Sequence, residues 1–327
     1  MNILLTGATG FLGFRTLEEL VQLTYVKKII ATGRTLIASR KIQNEKVKYI
    51  LGDLTEKKFV DSLVKDIDII INNAALSSPW GSFKQFYRAN IKTQKNIIEA
   101  SKKNGIKRII YISSASIYYN GKNRQMVKES DDLPRRFVNN YAKTKREAEI
   151  LLQKSNIQYI IIRPRAIIGR GDSVIMPRLI KAYSKGKLKI MGNGKNTVDL
   201  TSVKNVAHAI ILSLKTKPDA CNNIYNITDG TPICLWNYIN KVFEGIGKEK
   251  ITSNINPYLA YYVAYIMEII AKYFTKKEPS LTRYSVGVLS KDFTLDISKA
   301  KRLLNYQPIV TTKQSLNEFI IWHKNNE

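Results

Sequence analysis

The chain has 327 residues, 44% of them hydrophobic, enough for one large domain or two closely joined ones around a full core. Its 53 Lys and Arg against 26 Asp and Glu give a formal net charge of +27. These basic residues are scattered and no nucleic-acid motif accompanies them, so nucleic acid is not an expected partner; phosphates, an anionic membrane surface or a general compositional bias remain.

The opening residues run from an apolar strand, 3–5, into glycines at 7, 10 and 13, and then into a helix-forming stretch, 14–23. A strand, a tight glycine turn and a helix N-terminus in that order form the part of a Rossmann unit that receives a dinucleotide pyrophosphate. Gly7 permits the turn, Gly10 lets the backbone approach the phosphates, and Gly13 lets the helix pack close to the strand. The helix N-terminus adds free N–H groups and a partial positive charge. With a core strand at its very start the chain is expected to lack a signal peptide, and a cytoplasmic, reducing setting follows.

Further strands are expected at 28–32, 47–51, 67–72, 108–113 and 159–163, with helices at 57–64, 83–104 and 140–153. Repeated strand–helix units with wholly apolar strands predict an α/β fold, a Rossmann doubly wound parallel sheet covered on both faces. Ligands on such sheets sit at the carboxyl ends of the strands. The glycine turn, Asp53, Asn73, Ser114 and Pro164 all fall there.

After about Gly169 the alternation becomes irregular, with Gly186, Gly192 and Gly194 in Lys-rich loops and a helix over 205–214. The expected division is a Rossmann domain at 1–168 and a smaller C-terminal substrate-binding lobe at 169–327, with part of 195–230 returning to the sheet. Within the lobe, residues 257–274 are rich in Tyr and Ile but interrupted by Glu268 and Lys272. They fall short of the ~20 apolar residues a transmembrane helix needs. The segment reads either as a buried or lid helix, or as an interfacial helix over a lipophilic pocket in peripheral contact with a membrane. Cys221, Cys234, His208 and His323 stand at no metal-ligand spacing, so neither a metal nor a disulfide framework is expected.

The chemistry centres on Tyr141-Ala-Lys-Thr-Lys145. Residues four apart on a helix share a face, one turn apart. A phenol with a pKa near ~10 is a poor acid or base at neutral pH, and a neighbouring ammonium favours its ionised form. A basic, solvated helix face would show the same spacing. What distinguishes this pair is its place, opening a helix after the strand that ends in Ser113-Ser114, downstream of a glycine turn.

Taken together, these stretches resemble the extended short-chain dehydrogenases/reductases over nearly the whole chain. The resemblance is carried by Thr6-Gly7-Ala-Thr-Gly10-Phe-Leu-Gly13, Gly52-Asp53-Leu54, Asn72-Asn73-Ala74-Ala75, Ser113-Ser114-Ala-Ser-Ile-Tyr118, Tyr141/Lys145 and Arg163-Pro164. It implies that Tyr141 is the acid/base, that Ser114 orients the carbonyl oxygen, and that Lys145 holds the nicotinamide ribose while lowering the Tyr141 pKa. It also implies that Asp53 and Leu54 meet the adenine, that the backbone after Pro164 meets the carboxamide, and that Gly7, Thr9, Gly10, Phe11, Leu12, Gly13, Asn73, Ala74, Ala75 and Asn90 belong to the cofactor site. The second strand ends in Gly33-Arg34-Thr35, with no carboxylate for a ribose 2′-hydroxyl. Arg34, with Arg40 and Lys41 nearby, suits a 2′-phosphate, so NADP(H) is preferred and NAD(H) remains acceptable.

Ser78-Pro-Trp-Gly81, Arg163 to Asp172, Gly192 to Leu200 and Pro279 to Tyr284 are similar to the 3β-hydroxysteroid dehydrogenase-like branch, and within it to 2-alkyl-3-oxoalkanoate reductases. That implies a small lipophilic carbonyl substrate, a 3-oxo acid or a sterol-like ketone, and a homodimer built on helices 83–104 and 140–153. Lys204 and Tyr119 depart from the family's usual acidic residue and glycine. A nucleotide-sugar epimerase or dehydratase shares the core motifs, with Arg178, Lys181 and Lys187 as its diphosphate grip. A non-catalytic cofactor sensor would ordinarily have lost Tyr141 or Lys145.

Overall fold

The computed structural model describes residues 1–326. Seven strands form one parallel sheet: β1 (Asn2–Thr6), β2 (Lys28–Thr32), β3 (Val47–Tyr49), β4 (Ile69–Asn72), β5 (Arg108–Ile112), β6 (Gln158–Pro164) and β7 (Asn223–Ile227). Their spatial order is β7-β6-β5-β4-β1-β2-β3, and every neighbouring pair is parallel. The strand order reverses beside β1, which opens a crevice at the carboxyl ends of β1 and β4.

The isoleucine-rich strands are covered on both faces, as their unbroken apolar runs require. Ile3, Leu5, Ile71, Ile110 and Ile162 pack on one side against helices α1 (Phe11–Val21) and, further along the chain, Val203–Leu214. Their strand neighbours Leu4, Ile70, Ile109 and Ile161 face the other way, onto α2 (Lys57–Leu63), α3 (Thr93–Lys103) and α4 (Asn140–Gln153). The doubly wound α/β architecture is therefore the one expected from the sequence.

Two details differ from the expected elements. The helix expected over 83–104 is broken by a π-helical stretch, Tyr87–Lys92, between Phe83–Phe86 and α3. The buried Asn90 side chain sits in that stretch and ties its neighbours together: it accepts from the Leu76 amide (2.8 Å) and donates to Thr144 of α4 (3.0 Å). The seventh strand, β7, lies in the 195–230 stretch expected to return to the sheet, though it was not itself among the expected strands, since its Asn-Ile-Tyr-Asn-Ile sequence lacks an unbroken apolar run. Asn226 is nonetheless fully buried, accepting from the Tyr118 hydroxyl (2.8 Å) and donating to the Val127 carbonyl (3.0 Å).

Beyond β6 the chain builds a second hydrophobic cluster around Trp236, Ile239, Val242 and Phe243 of helix Leu235–Gly245, with Met176, Leu316 and Phe319. Helix α5 (Pro257–Ile270) lies against α6 (Arg283–Ser290) and continues into a π-helical turn, Ala271–Thr275. It is neither buried nor a lid on the cavity described below. Of α5 only Ala260 and Ala264 are buried, while Tyr258 is 82% and, in the following turn, Phe274 is 77% exposed. No described helix is long and apolar enough to cross a membrane.

Candidate active site

A cavity of about 1010 Å³ runs from the glycine turn, across the carboxyl ends of the sheet, into the second cluster. Its first wall is made of backbone. Gly7 takes φ +64° at the turn, and a Cβ there would lie 3.0 Å from the Asn73–Ala74 backbone. A Cβ on Gly13 would stand 2.0 Å from the Gly7 carbonyl oxygen, so only glycine lets α1 start this close to β1. The Thr6 hydroxyl donates to Asn72 (2.7 Å) and accepts from the Ala74 amide (3.1 Å), which locks the turn to the end of β4. The N-terminus of α1 has no side-chain cap and no acidic residue in its first turn, so its amides and partial charge are available to an anion.

Gly7, Thr9, Gly10, Phe11, Leu12, Arg34, Asp53, Leu54, Asn73, Ala74 and Ala75 line this wall. Asp53 is held below the usual carboxylate range, chiefly by the Thr55 amide, with Arg88 and Arg34 adding positive charge. Arg34 is exposed at the rim. Arg40 is not on the wall; its guanidinium donates to the carbonyls of Thr9 and Gly171 (3.3 Å each), bracing the turn from behind. Gly13 and Asn90 also stand outside the lining, the one as a packing contact and the other as the tie just described. A glycine turn that any side chain would fill, set against an uncapped helix end, fits a dinucleotide.

Tyr141, Lys145, Ser114 and Pro164 line the middle of the cavity. Asn139 caps α4 by accepting from the Ala142 amide (2.9 Å), which fixes Tyr141 in the first turn. Ser114 and Ser77 stand near enough to the Tyr141 hydroxyl to draw its pKa down, and Ser114 accepts from the Ser116 amide (3.2 Å). Ser77 gave no signal in the sequence, because it reaches the site only through the fold of the loop after β4.

The titration of the pair differs from the simple expectation. Burial raises the Tyr141 pKa, and Ser114 and Ser77 draw it back only in part. Lys145, 2% exposed, donates to the Ile112 carbonyl and lies 4.3 Å from the Tyr111 ring centroid. Burial pushes its ammonium down to about 7. The lysine is thus anchored to the strand below the phenol, and its charge is weakened by the same dry surroundings that raise the phenol.

One turn further along α4, Glu149 is fully buried. Burial would raise its carboxyl, but Arg163 more than offsets this by donating to both oxygens (2.8 and 2.6 Å), with Arg146 adding a third bond at 3.0 Å. Arg163 also reaches the Tyr118 hydroxyl. This network pins α4 to β6 and sets the height of Lys145 and Tyr141 above the sheet.

The far end of the cavity is apolar: Ile168, Met176, Leu179, Leu200, Ile239 and Val288 line it. Its polar groups are few. Tyr284 and Arg165 line it, and Arg178 does so while paired with Glu278 (3.3 Å). Lys181 and Lys187 are not on the wall. Tyr119 stands behind Tyr284 in an edge-on contact at 5.9 Å, and Lys204 pairs with Glu318 away from the cavity. Among the described residues no group of three or more His, Cys, Asp or Glu side chains could hold a metal.

This fold and this cavity define an NAD(P)-dependent oxidoreductase of the extended short-chain dehydrogenase/reductase type. The chain belongs to the 3-beta hydroxysteroid dehydrogenase/isomerase family, whose model matches residues 4–256. It is 32% identical to the uncharacterized protein YbjS of Escherichia coli, over 98% of this chain and 97% of that one. It is 31% identical to 3beta-hydroxysteroid-dehydrogenase/decarboxylase isoform 1 of Arabidopsis thaliana, covering 96% and 78% respectively. It is 29% identical to the 2-alkyl-3-oxoalkanoate reductase of Stenotrophomonas maltophilia, over 97% of each. UDP-glucuronic acid 4-epimerase from Bacillus cereus in complex with NAD has the same fold, with a TM-score of 0.78 at 24% identity over 100% of this chain and 99% of that one.

Proposed function

We propose that this enzyme interconverts a ketone and a secondary alcohol on a lipophilic substrate, a 3-oxo acid or a sterol-like ketone, with NADP(H) preferred and NAD(H) also accommodated. The observation that carries the reading is the placing of Ser114, Tyr141 and Lys145 together on the cavity wall, where its polar half meets its apolar half. A nicotinamide bound here would supply or accept the hydride. Ser114 holds the substrate oxygen, and Tyr141 gives that oxygen its proton in reduction and removes it in oxidation. The two donors converge on the oxygen, where negative charge develops. Lys145 meets the ribose hydroxyls and, once charged, favours the ionised phenol. Asp53 and Leu54 meet the adenine and the glycine turn meets the pyrophosphate. Gly13 and Asn90 act by packing and by holding the loop after β4.

Arg34 at the rim, with no carboxylate along residues 28–35, supports recognition of a 2′-phosphate. Residues 1–168 carry the cofactor and 169–327 mainly shape the substrate end. The epimerase alternative has less support, since Arg178 is already paired and Lys181 and Lys187 lie off the cavity wall. The exposed tyrosine face of α5, beside exposed Lys272, Lys276 and Lys277, suits peripheral contact with an anionic lipid surface. Co-sedimentation with anionic vesicles but not neutral ones is expected, and equal recovery with both removes the charge from that contact.

The experiment follows absorbance of the reduced nicotinamide with NADPH and NADH on long-chain and steroidal ketones, with UDP-sugars run alongside. Faster NADPH oxidation with a lipophilic ketone is expected, with the preference reduced about 10- to 100-fold in Arg34→Ala, the worth of a hydrogen bond to a charged group. Conversion of a UDP-sugar without net oxidation overturns the reading.

A further inference from the structure

Among the described residues, Arg165 is a charged side chain on the apolar wall that forms no ion pair. It follows Pro164 at the end of β6, is 7% exposed, and lines the cavity. Its guanidinium carbon lies over the Phe293 ring, 4.8 Å from the centroid. Nε is buried with no hydrogen-bond partner. Asp199, the carboxylate that acts on it electrostatically, forms no ion pair with it; that carboxylate accepts from the Leu295 amide (2.7 Å) instead. A buried guanidinium over an aromatic ring, with a buried N–H unpaired and no ion pair, is a costly arrangement unless an anion completes it.

Its position relative to the chemistry follows from the sheet. Ile112 pairs with Ile162, and the Ser113 amide donates to the Ile162 carbonyl (2.7 Å), so Ser114 stands level with Pro164 on the neighbouring strand. Adjacent strands lie about 4.8 Å apart. Arg165 is therefore one residue beyond the level of Ser114. Tyr284 lines the same cavity as Tyr141 and Arg165.

From this geometry we infer that Arg165 is a carboxylate-binding residue, and that the substrate carries an ionised carboxyl group β to the carbon whose oxygen Ser114 and Tyr141 hold. The inference rests on the ketone/alcohol reading above and narrows it to 3-oxo and 3-hydroxy acids, with the rest of an apolar chain in the pocket of Ile168, Met176 and Leu200. Arg165 takes no part in proton or hydride movement. It orients the substrate so that one face of the ketone is presented, and the neutral sterol-like ketone drops out as the preferred substrate.

The test compares 3-hydroxydecanoate with its methyl ester, on the wild type and on Arg165→Met and Arg165→Lys. Binding is measured by calorimetry and oxidation by cofactor absorbance, with melting curves to confirm folding. The expected result is a wild type that prefers the acid, and an Arg165→Met that loses about 100-fold in affinity and kcat/KM for the acid while its values for the ester stay unchanged. Arg165→Lys restores part of the acid preference by its charge. Equal losses on acid and ester in Arg165→Met, or a wild type indifferent to the carboxylate, overturn the assignment. Tight binding of the acid through Arg165 without any oxidation would leave the carboxylate site standing and remove the redox reading. Oxidation of the ester alone would do the reverse.

Discussion

The two ends of the cavity position their ligands by different means. At the glycine turn the work is done by backbone and short side chains: Gly7, Gly13, Thr6 and Asn73 close a shape with almost no freedom. At the far end it is done by long side chains brought from separate segments, with Arg165 after β6, Tyr284 on α6 and Ile239 on helix Leu235–Gly245. The first end is rigid and specific for a shared shape. The second is adaptable, because a change in any one of its side chains alters the pocket without disturbing the sheet. Between them, Tyr141 and Lys145 stand on α4, which a buried ion pair holds to β6.

The sharpest break in this division is at Tyr141. Turnover is expected to fall by about 10²–10⁴-fold in Tyr141→Phe, the usual worth of general acid–base catalysis, while cofactor binding by fluorescence titration is retained. Unchanged turnover would take Tyr141 out of the chemistry. Arg163→Met tests the joint between the two ends. Leaving Glu149 buried without its main partner is expected to cost about 3–5 kcal/mol in a urea melt, and to lower activity through the tilt of α4. A stability close to wild type would show that Arg146 alone suffices for Glu149.

A smaller effect sharpens the picture of Lys145. Its folded-state pKa is about 7 and its unfolded value the ordinary 10.5, so between those values the unfolded chain binds more protons. Stability from this group therefore rises as pH increases from about 7 to about 10.5, and below 7 the full burden of a buried ammonium is carried. Lys145→Met removes the term, so its melting midpoint is expected to rise less steeply across that window than the wild type's. Parallel profiles would mean that Lys145 is solvated in the folded chain.

The cofactor end was largely legible in the sequence because its determinants are local. A glycine triplet between a strand and a helix, or a Tyr and a Lys one turn apart, can be read without knowing what they touch. The doubly wound sheet was legible for the same reason, through its isoleucine runs. Ser77 and Arg165 were not, since each becomes part of the site only when distant segments meet. The return of part of 195–230 to the sheet was expected, but β7 itself was not delimited, because Asn226, polar in the sequence, is satisfied by Tyr118 and Val127 from other elements. Helix α5 read two ways from its apolar composition, as a buried or lid helix or as an interfacial one, and its Tyr and Ile faces are largely exposed.

The late arrival of β7 bears on how the molecule is made. Its partner β6 ends at Pro164, and the pairing strand begins only at Asn223. During synthesis the growing sheet therefore carries an unpaired, isoleucine-rich border while the intervening residues emerge, the kind of border along which chains associate with one another. A chain cut short before Asn223 would keep that border open, so the pocket-forming half of the molecule is also what seals the sheet.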